Sequence, residues 1–169
     1  MIDVSSRFLP IGSPAPAFEL TAIHTRRKVG LGSCAGTPLL LVFLSFDTRE
    51  QAREISQSVR EIYPKISQVI VANIINLLFV PSLARKIAEN RMDSAIQQAI
   101  KEIPAPYTPA EYLILLPDWR GSLARAYHIS SSGSQVALVM IDGQGIIQGH
   151  YQGDAPAQAA IDLISKLCN

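Results

Sequence analysis

Charge is scarce in this chain of 169 residues: Asp, Glu, Lys and Arg supply 17%, against about a quarter in an average soluble domain. Fifteen basic residues against fourteen acidic ones leave a net charge of +1. Neither a basic stripe nor a charge-rich disordered chain fits that balance, so dedicated nucleic-acid binding is excluded. Long apolar runs are missing as well. Residues 39–46 are broken by Ser45 and residues 69–80 by Asn73 and Asn76, both short of the roughly 20 residues that a spanning helix needs. The opening Met1-Ile-Asp-Val-Ser-Ser-Arg-Phe8 shows no basic stretch leading into an apolar one, so a cytoplasmic location is expected. Cysteine is nearly absent. Cys34 and Cys168 are too few for a disulfide scaffold and lie at no metal-ligand spacing. His24, His128 and His150 share neither an i, i+2 nor an i, i+4 relation, so no metal or other cofactor is expected.

Apolar residues, by contrast, reach 48% and the mean hydropathy is +0.20. That surplus calls for a deep core, a hidden interface or both. Residues 1–10 read as an extended arm and residues 11–169 as one domain. Residues 18–23 alternate as a strand, a turn follows at 24–28, and Val29 starts the return strand. Residues 39–44 are continuously apolar, the pattern of a strand covered on both faces. Asp47 and Glu50 have capping-box spacing and predict a helix start, with Ala52, Ile55, Val59 and Ile62 as its inner stripe until Pro64.

A second buried strand is expected at 68–75. The next helix should begin near Pro81, with Leu83 and Ile87 as one stripe, Met92, Ile96, Ile100 and Ile103 as another, and a break between them. Pro104, Pro106 and Pro109 mark an irregular connection. A third strand is expected at 112–116, ended by Pro117 and Asp118, then a short helix at 122–128. Strands at 136–141 and 146–151 form a hairpin around Asp142-Gly-Gln-Gly145. Asp154 should cap a last helix whose stripe holds Ala160, Ile161, Ile164, Leu167 and Cys168. Strands separated by helices run parallel through right-handed crossovers, so a mixed sheet with helices on both faces follows.

Four stretches in this order resemble the thioredoxin-like superfamily, in particular its peroxiredoxin and thiol-reductase branch. They are Ile11-Gly-Ser-Pro-Ala-Pro-Ala-Phe-Glu-Leu20, Pro38-Leu-Leu-Leu-Val-Phe-Leu-Ser-Phe46, Leu116-Pro-Asp118 with Leu123-Ala-Arg-Ala-Tyr127, and Val139-Met-Ile-Asp142 with Gly145-Ile-Ile147 and Gly153. The resemblance implies a three-layer α/β/α sandwich with an N-terminal β-hairpin. It also implies thiol chemistry at a helix start, where the N-terminus lowers a cysteine pKa. Here those positions hold Thr48 and Gln51, no cysteine lies between Ser45 and Ala52, and Val136 stands where the family places a proline. The family's arginine in this region is absent too. Hydroxyl and amide groups form no reducible bond with a thiol, so dithiol or peroxidase catalysis at this point is not expected.

Other candidates are weighed beside that site. Cys34 and Cys168 are either free thiols or, by topology, near enough to pair, and Cys34 offers a displaced redox function as the alternative. Ser45 and Thr48 lack a histidine to activate them, and an anion held by Thr48 and Arg49 would compete with Asp47. Residues 77–80, Leu-Leu-Phe-Val, are apolar where a loop is ordinarily polar. Leu77, Leu78, Phe79 and Val80 either fold inward or form a contact surface, to which Tyr107 and Trp119 would add aromatic anchors. The expected function is a protein-binding or self-associating module. Its pole is formed by Ser45, Phe46, Asp47, Thr48, Arg49, Gln51, Gln135 and Val136 together with residues 77–80.

Overall fold

The computed structural model describes residues 7–103, 107–130 and 134–168; residues 1–6 of the expected arm, with Pro104 and Pro106, lie outside these. β3 (Leu39–Leu44) is the centre, and all six of its residues are buried. β4 (Ile70–Asn76) pairs with it in parallel, and β5 (Leu115–Asp118) pairs in parallel with β4. On the other side β6 (Ala137–Ile141) and β7 (Ile147–Gln152) add antiparallel strands, giving the order β5-β4-β3-β6-β7. β1 (Glu19–Thr21) and β2 (Lys28–Gly30) form a separate antiparallel hairpin. The expected sandwich is the observed one.

Alternation along β3 builds a core on each side of the sheet. Leu39, Leu41 and Phe43 join Ala72, Ile74, Val139 and Ile141 on one face, beneath Phe8, Val29, Cys34, Leu123 and Tyr127. Leu40, Val42 and Leu44 meet Val71, Leu138 and Met140 on the other. That second face is covered by α1 (Arg49–Ile62), α2 (Arg85–Ile100) and α5 (Pro156–Cys168), through Ile55, Val59, Met92, Ile96, Ala160 and Ile164.

Several local expectations are corrected. The stripe of α1 is Ala52, Ile55 and Val59, but Ile62 is exposed. α2 runs without a break, and its buried residues are Ala88, Met92 and Ile96. Ile87 sits one position off that stripe, and both it and Leu83 are exposed. Tyr112 ends a helical turn, α3 (Pro109–Tyr112), so the third strand starts later and contains Pro117 and Asp118. Proline is tolerated there because β5 is an edge strand. α4 (Ser122–Ala126) stops before His128, whose φ of +56° lies outside the helix.

The caps also differ. Asp118, fully buried, aims Oδ2 at the start of α4 and accepts the N–H groups of Leu123 (3.0 Å) and Ala124 (3.3 Å). Asp154 does not cap α5. The Tyr151 hydroxyl accepts the Ala155 N–H instead (3.0 Å). In the β6–β7 turn, Asp142 accepts N–H groups from Gln144 and Ile146, and Gly145 takes the φ of +82° that the turn requires. Desolvation acts to raise the Asp142 pKa, but hydrogen bonds from Ile146, Gln148, Gln144 and Gly145 outweigh it and hold the carboxyl below its ordinary value.

A bulge shifts the register of the hairpin, so that Ile141 faces Ile147 while Met140 faces Gly149. Ile147 and His150 therefore share one face with Tyr127 and Val139. Phe8, itself buried, stacks on the His150 ring at 4.3 Å and 6° from parallel. Desolvation pushes the His150 pKa down, against a weaker opposing backbone hydrogen bond.

Two measurements check this framework. Replacing Asp118 with Ala strands two buried N–H groups and should lower stability by about 1–3 kcal/mol in urea unfolding, with Asn less damaging. Because the folded state holds His150 neutral, its stability should be full above about pH 6.5 and fall as the pH drops through that value, where the unfolded chain binds the proton first. His150→Gln should flatten that segment of the pH profile.

Candidate functional site

The parallel strands β3, β4 and β5 all deliver their carboxyl ends to one pole, the usual place for a site in such a sheet. β3 ends at Leu44 and Ser45 opens a single turn, 46–48, before α1. The turn is locked by Ser45 and Thr48, not by Asp47 and Glu50. The Ser45 N–H donates to the Thr48 hydroxyl (2.9 Å) and the Thr48 N–H to the Ser45 carbonyl (3.2 Å). Glu50 instead lies 4.0 Å from Arg53. Thr48 is buried at 2% exposure, so its hydroxyl serves the backbone and not an incoming reactant. Arg49 is likewise engaged, donating to the Phe46 carbonyl (3.0 Å).

The segment entering β6 closes the pole from the other side. Gln51 Nε2 reaches the Ser134 carbonyl at 3.4 Å, which places the Thr48–Gln51 turn beside residues 134–136. Gln135 donates to Asp154 Oδ1 (2.8 Å), and Val136 is fully buried. Between these walls lies a cleft of about 230 Å³. Phe43, Leu44, Ala124, Ile129 and Ala137 give it an apolar lining; Ser45, Asp47, Asn76, Ser130 and Gln135 supply polar groups, and Phe79 completes it. Among the described residues no sulfur lines this cleft.

Residues 77–80 divide between the two expected outcomes. Leu77 is buried in the core and Val80 packs against it. Leu78 and Phe79 point outward, 48% and 83% exposed. Asn76 Oδ1 accepts the Leu78 N–H (3.0 Å), which turns the chain at that point. Leu83 at 96% and Ile87 at 60% exposure continue the apolar ridge onto α2. Phe46, 44% exposed, adds a further apolar group at the same pole. Trp119 packs on the core with the Arg85 guanidinium 5.4 Å from its ring centre. Tyr107 is not part of this pole. It packs against Tyr112, near Arg60 and Pro64 at the far end of α1.

Leu83 and Ile87 are the residues that periodicity misplaced. Ala88, Met92 and Ile96 recur every four positions, and small Ala88 carries too little hydrophobic weight to compete with its neighbour Ile87. The cleft lining was recoverable only by placing the strand ends together in space.

The two thiols lie elsewhere. Cys34 and Cys168 are both free. Cys34 is buried in the layer that contains Phe8 and Tyr127, whereas Cys168 is exposed at the end of α5, which packs on the opposite face. Burial pushes the Cys34 pKa up, only partly offset by a hydrogen bond with Ser33 and the charge of Arg27. Cys34 also borders a depression of about 400 Å³ at the pole opposite the cleft, beside Leu31 and Asp142. Among the described residues no group of three or more His, Cys, Asp or Glu side chains is placed to hold a metal, and no helix is long and apolar enough to cross a membrane.

No protein-family profile and no curated protein matches the chain. Solved structures do. The thioredoxin domain of a Bacteroides vulgatus thiol-disulfide oxidoreductase superposes with a TM-score of 0.60 at 15% identity, covering 95% of this chain and 99% of that one. The fold is thioredoxin-like. StoA from Bacillus subtilis gives 0.60 at 14% identity over 90% and 98% of the two chains. The exposed lipoprotein thioredoxin Etrx1 of Streptococcus pneumoniae gives 0.58 at 15% over 89% and 99%. At such identities the likeness establishes the thioredoxin-like architecture alone.

The thiols should separate cleanly in kinetics. Under non-reducing conditions at neutral pH, a disulfide reagent should label Cys168 at once and Cys34 much more slowly, with denaturant abolishing the difference. Equal rapid labelling, or a chain without free thiol, would contradict the placement of Cys34.

Proposed function

We propose that this thioredoxin-fold chain works by holding a protein partner at the carboxyl end of its sheet, without dithiol exchange there. The observation that carries the proposal is an apolar cleft without sulfur beside an exposed ridge of Leu78, Phe79, Leu83 and Ile87. Four large apolar side chains projecting within ten residues are costly in water unless a partner covers them. The cleft adds a receptacle for one further apolar side chain, with Asp47 and Gln135 beside it to fix orientation. The resemblance of residues 11–20 and of the β6–β7 hairpin to the peroxiredoxin and thiol-reductase branch supports descent from a redox scaffold. Thr48 and Gln51 then mark where thiol chemistry was given up. Two free cysteines suit a reducing compartment, in keeping with a cytoplasmic location.

Exchanging Phe79 and Leu83 together for Ser tests the proposal. Because both side chains face solvent, circular dichroism and the unfolding midpoint should be unchanged. Binding to partners captured with the wild-type chain should fall by roughly tenfold or more, as for loss of interface anchors. Retained binding would refute the assignment of the ridge. In parallel, the wild-type chain should show no insulin-disulfide reduction above background. Activity that disappears in Cys34→Ser would place the function at the displaced thiol instead.

A further inference from the structure

The apolar ridge is set in a basic margin. Arg85, Lys86 and Arg91 of α2 are exposed beside Leu83 and Ile87. On the other side Gly121 packs so close to Leu78 that a Cβ added there would lie 3.3 Å from the leucine side chain. That contact brings the exposed Arg120 to the same edge. Arg125 follows, its guanidinium donating to the Arg120 carbonyl (3.2 Å). Residues 77–91 and 119–130, which hold the ridge and this margin, contain those five basic residues and one acidic residue, Glu89. Glu89 in turn lies 4.0 Å from Lys86. The remainder of the chain carries ten basic and thirteen acidic residues. A nearly neutral protein has therefore gathered positive charge around its exposed apolar side chains.

Such a margin discriminates among occupants. A second copy of the chain would bring like charge against it. A lipid surface would suit the charge and the ridge, but it has no side chain for the cleft that Phe79 borders. Asp47 lines the same cleft and disfavours an acidic group inside it. The occupant has to bring an apolar anchor for the cleft, an apolar stripe for the ridge and acidic groups beside that stripe. An amphipathic helix with acidic flanks carries all three, and its side-chain rows pack against those of α2 as helices do.

Given the function proposed above, on which this rests, we propose that the partner is an acidic amphipathic helix of another protein. It lies along Leu83 and Ile87 with its carboxylates facing Arg85, Lys86, Arg91 and Arg120. The Arg85 guanidinium already sits over the Trp119 ring, 5.4 Å from its centre, so that cation is positioned before a partner arrives. Charge pairs at the rim of an interface act chiefly on association rate and selectivity, while the buried apolar groups hold the complex together. The ridge supplies adhesion and the basic margin supplies choice of partner.

Two synthetic helical peptides test this, identical in their leucines at i, i+3, i+4 and i+7 and carrying either Glu or Lys at every flanking position. In fluorescence anisotropy the full chain should bind the Glu peptide roughly tenfold or more tightly than the Lys peptide. The difference should shrink as salt rises from about 50 to about 500 mM. Lys86→Glu/Arg91→Glu, at two exposed positions, should abolish the preference without changing the circular dichroism spectrum. Phe79→Ser/Leu83→Ser should weaken both peptides. Equal binding of the two peptides, or a preference that survives the charge reversal, overturns the acidic partner but leaves the ridge as the site. Indifference of both peptides to Phe79→Ser/Leu83→Ser removes the ridge itself, and with it the function proposed above. Failure to bind the Glu peptide also overturns the proposal. Co-sedimentation with vesicles of phosphatidylcholine and phosphatidylserine in that case would assign the pole to a lipid surface.

Discussion

The burial of β3 on both faces is the constraint from which the rest of the structure follows. Six consecutive apolar residues without access to water oblige the chain to build a layer above and a layer below them. α1, α2 and α5 form one; the hairpin, α4 and the segment around Phe8 form the other. Because β4 and β5 return in parallel through helices, three strand ends converge on one pole. The cleft is a by-product of that convergence. Its floor is the end of β3, Phe43 and Leu44, with Ala137 at the start of the antiparallel β6 beside them.

The same constraint governs how much could be read from sequence. Elements buried on two sides announce themselves by unbroken hydrophobicity, and β3 was legible to the residue. Elements whose limits depend on one hydrogen bond were not. The cap at Ser45 and Thr48 competes with an equally good spacing at Asp47 and Glu50, and only the tightness of the 46–48 turn selects the first. Tyr151 displaces Asp154 at the head of α5 because its hydroxyl reaches forward four residues to the Ala155 N–H, while the carboxylate is claimed by Gln135. α2 shows a further limit. Its buried line runs through Ala88, so an apolar count favours the neighbouring residue that faces water.

The candidate site was half legible. That Thr48, Gln51 and residues 134–136 come together follows from the order of elements, and the Gln51–Ser134 contact realises it. What sequence could not supply was the fate of each polar group. Thr48, Arg49, Gln51 and Gln135 all spend hydrogen-bonding capacity within the protein, whereas Asp47 stays exposed beside the cleft. A surface whose polar groups are already satisfied offers shape and apolar area more than chemistry.

The bulge between Met140 and Ile141 and their partners on β7 has a consequence for how this hairpin can change over time. It works as a phase shifter: one additional residue resets the two-residue alternation, so that His150 shares a face with Ile147 and Gly149 lies against Leu163 of α5. Removing the extra residue, Gln148, would close the ladder into regular pairing and leave His150 opposite Val139, on the face where Phe8 stacks. A residue lost farther along β7 has no such slack and would move every later side chain to the other face. The bulge is thus the one point at which this strand can change length and keep its two sides.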